Sequence, residues 1–254
     1  MSANLLAMAM IVLTNSFGRV EIDPHGARVR SYVPSGGQEV FHPVAEPDET
    51  GWSAGGIPVC WPWFFDRGPE GAALHGTARS SDFRVLRHTQ DLAELELAEG
   101  PLVLRMRFEL GRRLVVKMAT ENAGAEPAHV TEGLHAYFSV ADVERAALEG
   151  LDGVKGTTKR GGDASAPCVF GDRMPLAGAN DVCDVGGGVF AIDDPEGRRR
   201  IRLELSGMRE LAVWNGRACP RGAVCVEPIV FRRPLRLEPG ESRELKMSVE
   251  ALPR

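Results

Sequence analysis

The chain has 254 residues, of which 43% are hydrophobic and 26% charged, and its formal net charge is −5. This composition is ordinary for a globular protein that buries a large core, and all-β domains reach this length, so we expect one domain spanning residues 1–254. The acidic balance argues against a nucleic-acid partner, because phosphate-binding surfaces normally carry a basic excess.

The first twelve residues predict either a disordered leader or an edge strand. The opening segment, residues 1–13, is apolar, but it lacks a basic n-region and is too short to span a bilayer. We therefore expect neither a membrane partner nor a membrane anchor.

Apolar and polar residues alternate with a period of two along much of the chain. Residues 102–110, 200–205 and 244–250 follow this pattern most clearly, and turn signals such as Glu238-Pro239-Gly240 separate such runs. Residues 141–148 have a helical composition, but predicted strands flank them. The pattern predicts an all-β protein, a large antiparallel sandwich with one apolar face on each strand.

Residues 52–64 contain three of the four tryptophans, together with several prolines and glycines. This density of proline and glycine excludes a helix and is poorly tolerated in a central strand. Large aromatic rings in a loop need either burial or a ligand to cover them. The segment is therefore either the wall of a pocket, in which rings stack on a sugar, or a buried loop that closes one end of the β-structure.

Two further residues stand out among the strands. Alternation in residues 134–139 places His135 and Tyr137 on one face of a strand, although a lone strand histidine is more often structural than catalytic. Glu227 interrupts the apolar run 223–228, and a carboxylate in such surroundings is either paired or has a raised pKa. Glu227 is therefore a candidate general base, with a simple salt bridge as the alternative.

Motifs for cofactor chemistry are missing from the sequence. It has no Walker loop, GxGxxG, GxSxG or HxH pattern, and its five cysteines include no CxxC pair. A metal triad of His75, His135 and Glu227 is neither supported nor excluded by their wide separation. We expect no metal, no cofactor, no disulfide framework and a cytoplasmic location.

Ten short segments, from Gly26-Ala27 to residues 237–240, follow one another in the order of a known family's motifs. Together they resemble the hexose-6-phosphate mutarotase (glucose-6-phosphate 1-epimerase) branch of the aldose 1-epimerase family. The resemblance covers most of the chain. It implies the all-β, galactose-mutarotase-like antiparallel β-supersandwich, in agreement with the alternation. The matching segments are Gly26-Ala27 with Val29 and Ser31, 55–64, 75–79, Asn122, 134–138, 150–153, 180–182, 213–215, 224–228 and 237–240.

The resemblance implies the isomerisation of a sugar or sugar phosphate without a metal or cofactor, by a monomer. It makes Glu227 the general base and His135 the general acid that together open and close the pyranose ring. The substrate-binding residues that it implies are His75, Arg79, Asp181, Trp61 and Trp63.

Two departures from the family pattern bear on phosphate. Ala54 stands where the family usually has an arginine that holds the sugar phosphate, and the loop after Asn215 has lost its acidic residues. Arg67, Arg79 and Arg84 are the candidates for compensation. The sequence thus predicts an aldose 1-epimerase, with hexose 6-phosphate as substrate; the alternative is a catalytically silent carbohydrate-binding or regulatory β-sandwich.

Overall fold

The computed structural model describes residues 9–49, 51–160, 162 and 164–254. Within these ranges the chain forms twenty β-strands and one 3-10 turn, Ala78–Ser80, and no α-helix. The first ten strands are β1 (Ile11–Asn15), β2 (Gly18–Asp23), β3 (Arg28–Pro34), β4 (Val59–Cys60), β5 (Arg84–His88), β6 (Leu92–Glu99), β7 (Leu102–Leu110), β8 (Leu114–Asn122), β9 (Ala128–Leu134) and β10 (Tyr137–Ser139). The others are β11 (Ala147–Glu149), β12 (Lys155–Thr158), β13 (Ala166–Val169), β14 (Arg173–Pro175), β15 (Asn180–Cys183), β16 (Gly187–Asp194), β17 (Arg199–Ser206), β18 (Glu210–Trp214), β19 (Ala223–Leu237) and β20 (Ser242–Pro253).

The strands form three antiparallel sheets. A small sheet has the order β1-β2-β3, and a nine-stranded sheet has the order β14-β11-β16-β17-β20-β8-β7-β6-β5. An eight-stranded sheet runs β13-β12-β15-β18-β19-β9-β4, with β10 also paired to β19. The predicted all-β architecture is confirmed.

Several predictions for single segments can be compared with these elements. The alternating run 102–110 is strand β7, as predicted. Residues 141–148 form no helix, because Ala147 and Leu148 pair on both sides, with β14 and β16. Ile11 and Val12 begin β1, an edge strand, while residues 1–8 of the possible leader lie outside the described residues. Among the parts of the chain described, no helix has the length and apolar character needed to cross a bilayer.

The two large sheets pack face to face over one hydrophobic core. In β7 the even-numbered residues are buried, whereas Arg105, Arg107 and Glu109 face outward into ion pairs. One polar chain crosses the core: the Trp61 indole donates to Thr120 Oγ1 (3.1 Å), and the Thr120 hydroxyl donates to Glu132 Oε2 (2.5 Å). The Trp61 indole N–H and the Thr120 hydroxyl therefore have the hydrogen-bond partners that burial demands.

Strand β19 divides its residues between the core and the opposite face of the eight-stranded sheet. Val224 and Val226 belong to the core between the sheets. Cys225, Glu227 and Ile229 alternate with them and point away from that core. This outer face, which the loops around residues 52–54 and 60–65 cover, carries the chemistry described below.

A buried ion pair fastens the nine-stranded sheet to neighbouring segments. Arg199 Nε donates to Asp194 Oδ2 (3.1 Å), and the same guanidinium donates to the carbonyl oxygens of Glu39 (2.6 Å) and Ser139 (2.5 Å). The Asp194 side chain is fully buried, and the Arg199 side chain is 11% exposed. Removal of either partner would leave an uncompensated charge in the interior.

We predict that Arg199→Ala lowers the free energy of unfolding by about 3–5 kcal/mol, the usual result of breaking a buried pair. Arg200→Ala is the matched control, because Arg200 is 51% exposed in its ion pair with Glu149 and should contribute less than about 1 kcal/mol. Denaturant unfolding of both variants measures the difference. Equal losses in the two variants would contradict a special role for the buried pair.

Candidate active site

Strand register brings His135 and Glu227 together. Strand β10 pairs Tyr137 with Cys225, and β9 pairs with β19 in the same antiparallel register. The predicted strand 134–139 is interrupted, and His135 lies in the two-residue gap between β9 and β10; counting two residues back from Tyr137 and two forward from Cys225 places it opposite Glu227. Opposite residues of an antiparallel pair project to the same face, with Cβ atoms about 4.5–5.5 Å apart.

The pair is buried, and its polar atoms are incompletely used. His135 Nε2 lies 3.6 Å from Glu227 Oε2, and the two side chains are 9% and 4% exposed. This distance is too long for a hydrogen bond. Among the described residues, His135 Nδ1 and Glu227 Oε2 have no hydrogen-bond partner. Such orphaned atoms are rare in a folded protein, and here they point to a polar ligand.

Aromatic rings enclose the pair. The His75 ring meets the His135 ring edge-on at 5.2 Å, and the Tyr137 ring stacks on His135 at 4.8 Å. The Trp52 ring lies 5.0 Å from His75 and 5.2 Å from His135, and its indole N–H donates to the Tyr137 hydroxyl (3.2 Å). These rings give the site flat, apolar walls.

Local backbone geometry fixes the orientation of His75. Its φ of 65° lies in the left-handed region, and its N–H donates to the Phe65 carbonyl (2.9 Å). In return the Phe65 N–H donates to His75 Nδ1 (3.3 Å). Because Nδ1 accepts, the neutral ring carries its proton on Nε2. Gly76 is required next, since a Cβ there would lie 2.1 Å from the Trp61 carbonyl oxygen.

Burial determines the charges of these groups. It raises the pKa of Glu227 well above its usual value and lowers the pKa of His135 well below, with the charge of His75 adding to the latter shift. Burial, and then the nearby Arg79, lower the pKa of His75 to about 4. His75 is therefore uncharged at neutral pH, and burial favours the neutral forms of both His135 and Glu227.

Two guanidinium groups hold the loop that carries Trp52. Arg28 Nε and Nη2 donate to the Gly55 carbonyl (3.1 and 2.7 Å), and Nη2 also donates to the Ser53 carbonyl. Arg79 lies over the Trp52 ring, 5.3 Å from its centroid. Neither arginine has a carboxylate partner within the described residues. Two unpaired positive charges therefore border the pocket.

Comparisons with known proteins identify the family of the chain. The family model for aldose 1-epimerase matches residues 9–250. The chain belongs to the aldose 1-epimerase family. A Salmonella typhimurium protein named "Putative glucose-6-phosphate 1-epimerase" is 28% identical over 157 residues, which cover 56% of this chain and 52% of that protein. The chain thus spans about half the length of this relative.

Solved structures show the fold of this epimerase-family chain. A "putative mutarotase" from Salmonella typhimurium superposes with a TM-score of 0.83 at 20% identity, covering 96% of this chain and 90% of that one. A "galactose mutarotase related enzyme" from Lactobacillus acidophilus gives 0.80 at 14% identity, covering 96% and 97%. The predicted galactose-mutarotase-like antiparallel β-supersandwich is confirmed.

Within the aldose 1-epimerase fold, four of the predicted site residues converge. His75, His135 and Glu227 form one buried cluster, and Arg79 lies beside it over Trp52. The structure does not bring Asp181 there. Asp181 pairs in register with Val213 on the core-facing side, and its fully buried carboxylate forms an ion pair with Arg160 (2.7 Å).

The two tryptophans predicted as the apolar wall of the epimerase site also lie elsewhere. Trp61 is fully buried in the core between the sheets, where it bonds to Thr120. Trp63 donates its indole N–H to the Ala73 carbonyl (2.9 Å), and its ring packs so closely on Gly68 that a Cβ there would lie 2.4 Å away. The wall is instead formed by Trp52 and Tyr137.

The sequence held a signal for some of the missed residues. Tyr137 shares the predicted face of His135, and Trp52 directly precedes the aromatic segment, so alternation and proximity pointed to both. Arg28 lies in strand β3, far from the other motifs, and reaches the site only because the loop around Ser53 folds over it. No local pattern predicts such a contact.

The donor groups that come close enough for a metal differ from the triad considered above. His135, Cys225 and Glu227 have ligand atoms within 4.8 Å of one another, and His75 is not part of this group. Cys225 enters because it lies two residues before Glu227 on the same face of β19.

We predict that His75 makes the protein less stable in acid. Folded His75 stays neutral down to about pH 4, whereas the unfolded chain binds this proton below about pH 6.5. Between these values the unfolded state binds more protons, so the free energy of unfolding falls as the pH falls, by at most about 3 kcal/mol from this residue.

His75→Asn should flatten this fall, because asparagine tolerates a positive φ but does not titrate. His129→Asn, at an exposed position, is the control and should leave the slope unchanged. Urea unfolding at several pH values from 4 to 7 measures both variants. A His75→Asn slope as steep as that of the unmodified protein would contradict the prediction.

Proposed function

We propose that the protein interconverts the α and β anomers of an aldohexose by opening and closing the pyranose ring. The observation that supports this most directly is the buried, cross-strand pair of His135 and Glu227, whose polar atoms face each other at 3.6 Å without a hydrogen bond. Acid–base ring opening needs two such groups, one at each oxygen of the anomeric carbon.

Ring opening uses the ionised form of the pair, with the proton on His135 and none on Glu227, and returns the pair to its neutral form. Ionised Glu227 removes the proton of the anomeric hydroxyl, while protonated His135 donates a proton to the ring oxygen as the C1–O5 bond breaks. This leaves a neutral carboxyl and a neutral imidazole, the state that burial favours. After rotation of the aldehyde, the reverse transfers close the ring on the other face.

The surrounding residues have supporting roles in this proposal. The rings of Trp52 and Tyr137 offer apolar surface to the C–H faces of a sugar and exclude water. His75, with its proton on Nε2, is a donor for a sugar hydroxyl.

The test is NMR exchange spectroscopy of α-glucose and α-glucose 6-phosphate with and without the protein. Epimerase activity accelerates the exchange between the anomeric resonances at catalytic protein concentrations. A silent carbohydrate-binding protein would instead broaden or shift resonances without faster exchange, which would overturn the proposal.

We expect Glu227→Gln to lower kcat by at least about 100-fold with little effect on sugar binding. The amide keeps the shape of the side chain but cannot accept the proton. Glu132→Gln is the matched control, since Glu132 is also buried in the eight-stranded sheet but faces the core, where burial raises its pKa to about 7. Equal activity losses in both folded variants would remove Glu227 from the mechanism.

Hexose 6-phosphate is the substrate that we favour within this class. The guanidinium groups of Arg28 and Arg79 lie beside the site without a carboxylate partner in the described residues. Arg28 donates hydrogen bonds to the carbonyls of Ser53 and Gly55, on either side of Ala54. Positive charge is thus held next to the position where the family resemblance leads one to expect an arginine. A phosphate monoester is the natural partner of such groups.

Arg28→Ala and Arg79→Ala should each raise KM for glucose 6-phosphate about ten- to a hundredfold, the effect of losing a hydrogen bond to a charged group. Loss of the loop anchor alone would affect glucose and glucose 6-phosphate equally, so the ratio of the two specificity constants isolates the phosphate contact. Arg112→Ala, at an exposed site without an ion pair among the described residues, is the control.

Unmodified protein that treats both sugars alike would contradict phosphate as the substrate handle. In that case Ala54→Arg should create a preference for the phosphorylated sugar, because it restores a guanidinium at the edge of the pocket.

A further inference from the structure

Cys225 completes a set of three donor groups with the proposed acid–base pair. It faces the same side of β19 as Glu227 and stands opposite Tyr137 on β10. The Cys225 sulfur, one His135 nitrogen and one Glu227 oxygen all lie within 4.8 Å of one another, and the three residues are buried. Acid–base ring opening has no use for a thiol at this position.

The spacing of the set suits a tetrahedral ion. His135 Nε2 and Glu227 Oε2 are 3.6 Å apart. Bonds of about 2.0–2.2 Å from zinc to nitrogen and oxygen place neighbouring ligand atoms about 3.4 Å apart at the tetrahedral angle. The 3.6 Å separation, which is too long for a hydrogen bond, is therefore close to the distance between two ligand atoms of a tetrahedral zinc site.

The donor types select the class of metal. A thiolate, an imidazole and a carboxylate are ligands of zinc and its neighbours in the first transition row, whereas magnesium and calcium prefer oxygen alone. Three protein ligands leave the fourth position open to the pocket, where a sugar hydroxyl or water would bind.

We propose that His135, Cys225 and Glu227 bind a divalent ion of the zinc class, and that this ion competes with the sugar for the site. The competition rests on the proposed function, because the ion would occupy the two groups that move protons in ring opening. The binding itself rests only on the three side chains.

The surroundings favour reversible binding over a permanent metal centre. A histidine that holds a resident metal usually donates its other ring N–H to a carbonyl or carboxylate. His135 Nδ1 is buried without such a partner in the described part of the chain. Loss of this outer-shell support commonly weakens metal affinity about 10- to 100-fold, so a chelator should strip the ion and restore activity.

Cobalt(II) tests the binding directly, because it follows zinc in its choice of ligands and gives a thiolate charge-transfer absorption band. Titration of the metal-free protein with Co²⁺ should produce this band with one ion per chain, and added Zn²⁺ should abolish it. Cys225→Ser should remove the band and weaken Zn²⁺ binding, measured by calorimetry, at least about 100-fold. Cys168→Ser, on β13, should keep the band, and so should Cys219→Ser, which tests the thiol that packs beside Cys225.

Glu227→Gln provides a second variant in case Cys225→Ser unfolds. It should keep a weakened thiolate band, since sulfur and nitrogen remain as ligands. A band that persists unchanged in folded Cys225→Ser, or is lost in Cys219→Ser alone, would overturn the assignment of the ligand.

Kinetics then test the competition. In an active protein, Zn²⁺ should raise the apparent KM for the sugar without lowering kcat, the effect should vanish with a chelator, and Mg²⁺ should have none. An active protein without a Co²⁺ thiolate band would overturn the metal site and leave the epimerase proposal standing. A Co²⁺ thiolate band in a protein that does not accelerate anomer exchange would support the metal site and overturn the epimerase proposal.

Discussion

The site depends on one register, that of β19 against β9 and β10. Val224 and Val226 point into the core, so Cys225 and Glu227 must point out, where His135 and Tyr137 meet them. A slip of one residue would exchange these faces. It would move two valines out of the core to face His135 and Tyr137, and it would place a carboxyl group in the core. The hydrophobic core thus determines which polar groups face each other on the opposite side of the sheet.

Burying these polar groups without partners costs free energy, and contacts from neighbouring segments hold the site in this conformation. Glu227 and His135 are buried with unpartnered atoms, and His75 adopts a positive φ that a non-glycine residue rarely accepts. Two sets of hydrogen bonds stabilise the surroundings. The Phe65 backbone N–H and carbonyl both bond to His75, and Arg28 anchors the loop that carries Trp52. Two of the four unpartnered buried polar atoms in the described residues therefore lie where a ligand would satisfy them, whereas Trp61 and Thr120 in the core donate to partners.

Periodicity predicted the parts of the molecule that are regular. It gave the limits of β7, the shared face of His135 and Tyr137, and the anomaly of Glu227 in an apolar strand. It could not orient Trp61, because β4 has only two residues and its neighbours bend through isolated bridges. Motif resemblance carried Asp181 into the site, but the pairing of β15 with β18 turns that side chain toward the core. Arg28 and Ser53 meet through loop folding between segments 25 residues apart, which no local rule anticipates.

The arginines at the pocket link recognition to chemistry. The chain carries a net charge of −5, and many of its acidic groups form ion pairs with other arginines, as in the network of Glu96 with Arg84 and Arg105. Arg28 and Arg79 lack such partners, and their charges add to burial in lowering the pKa values of His135 and His75, respectively. A phosphate group bound to Arg28 would cancel part of this repulsion and favour protonation of His135. By linkage, protonated His135 would favour the anion equally, so in the proposed mechanism a phosphate on the sugar would help to protonate the general acid.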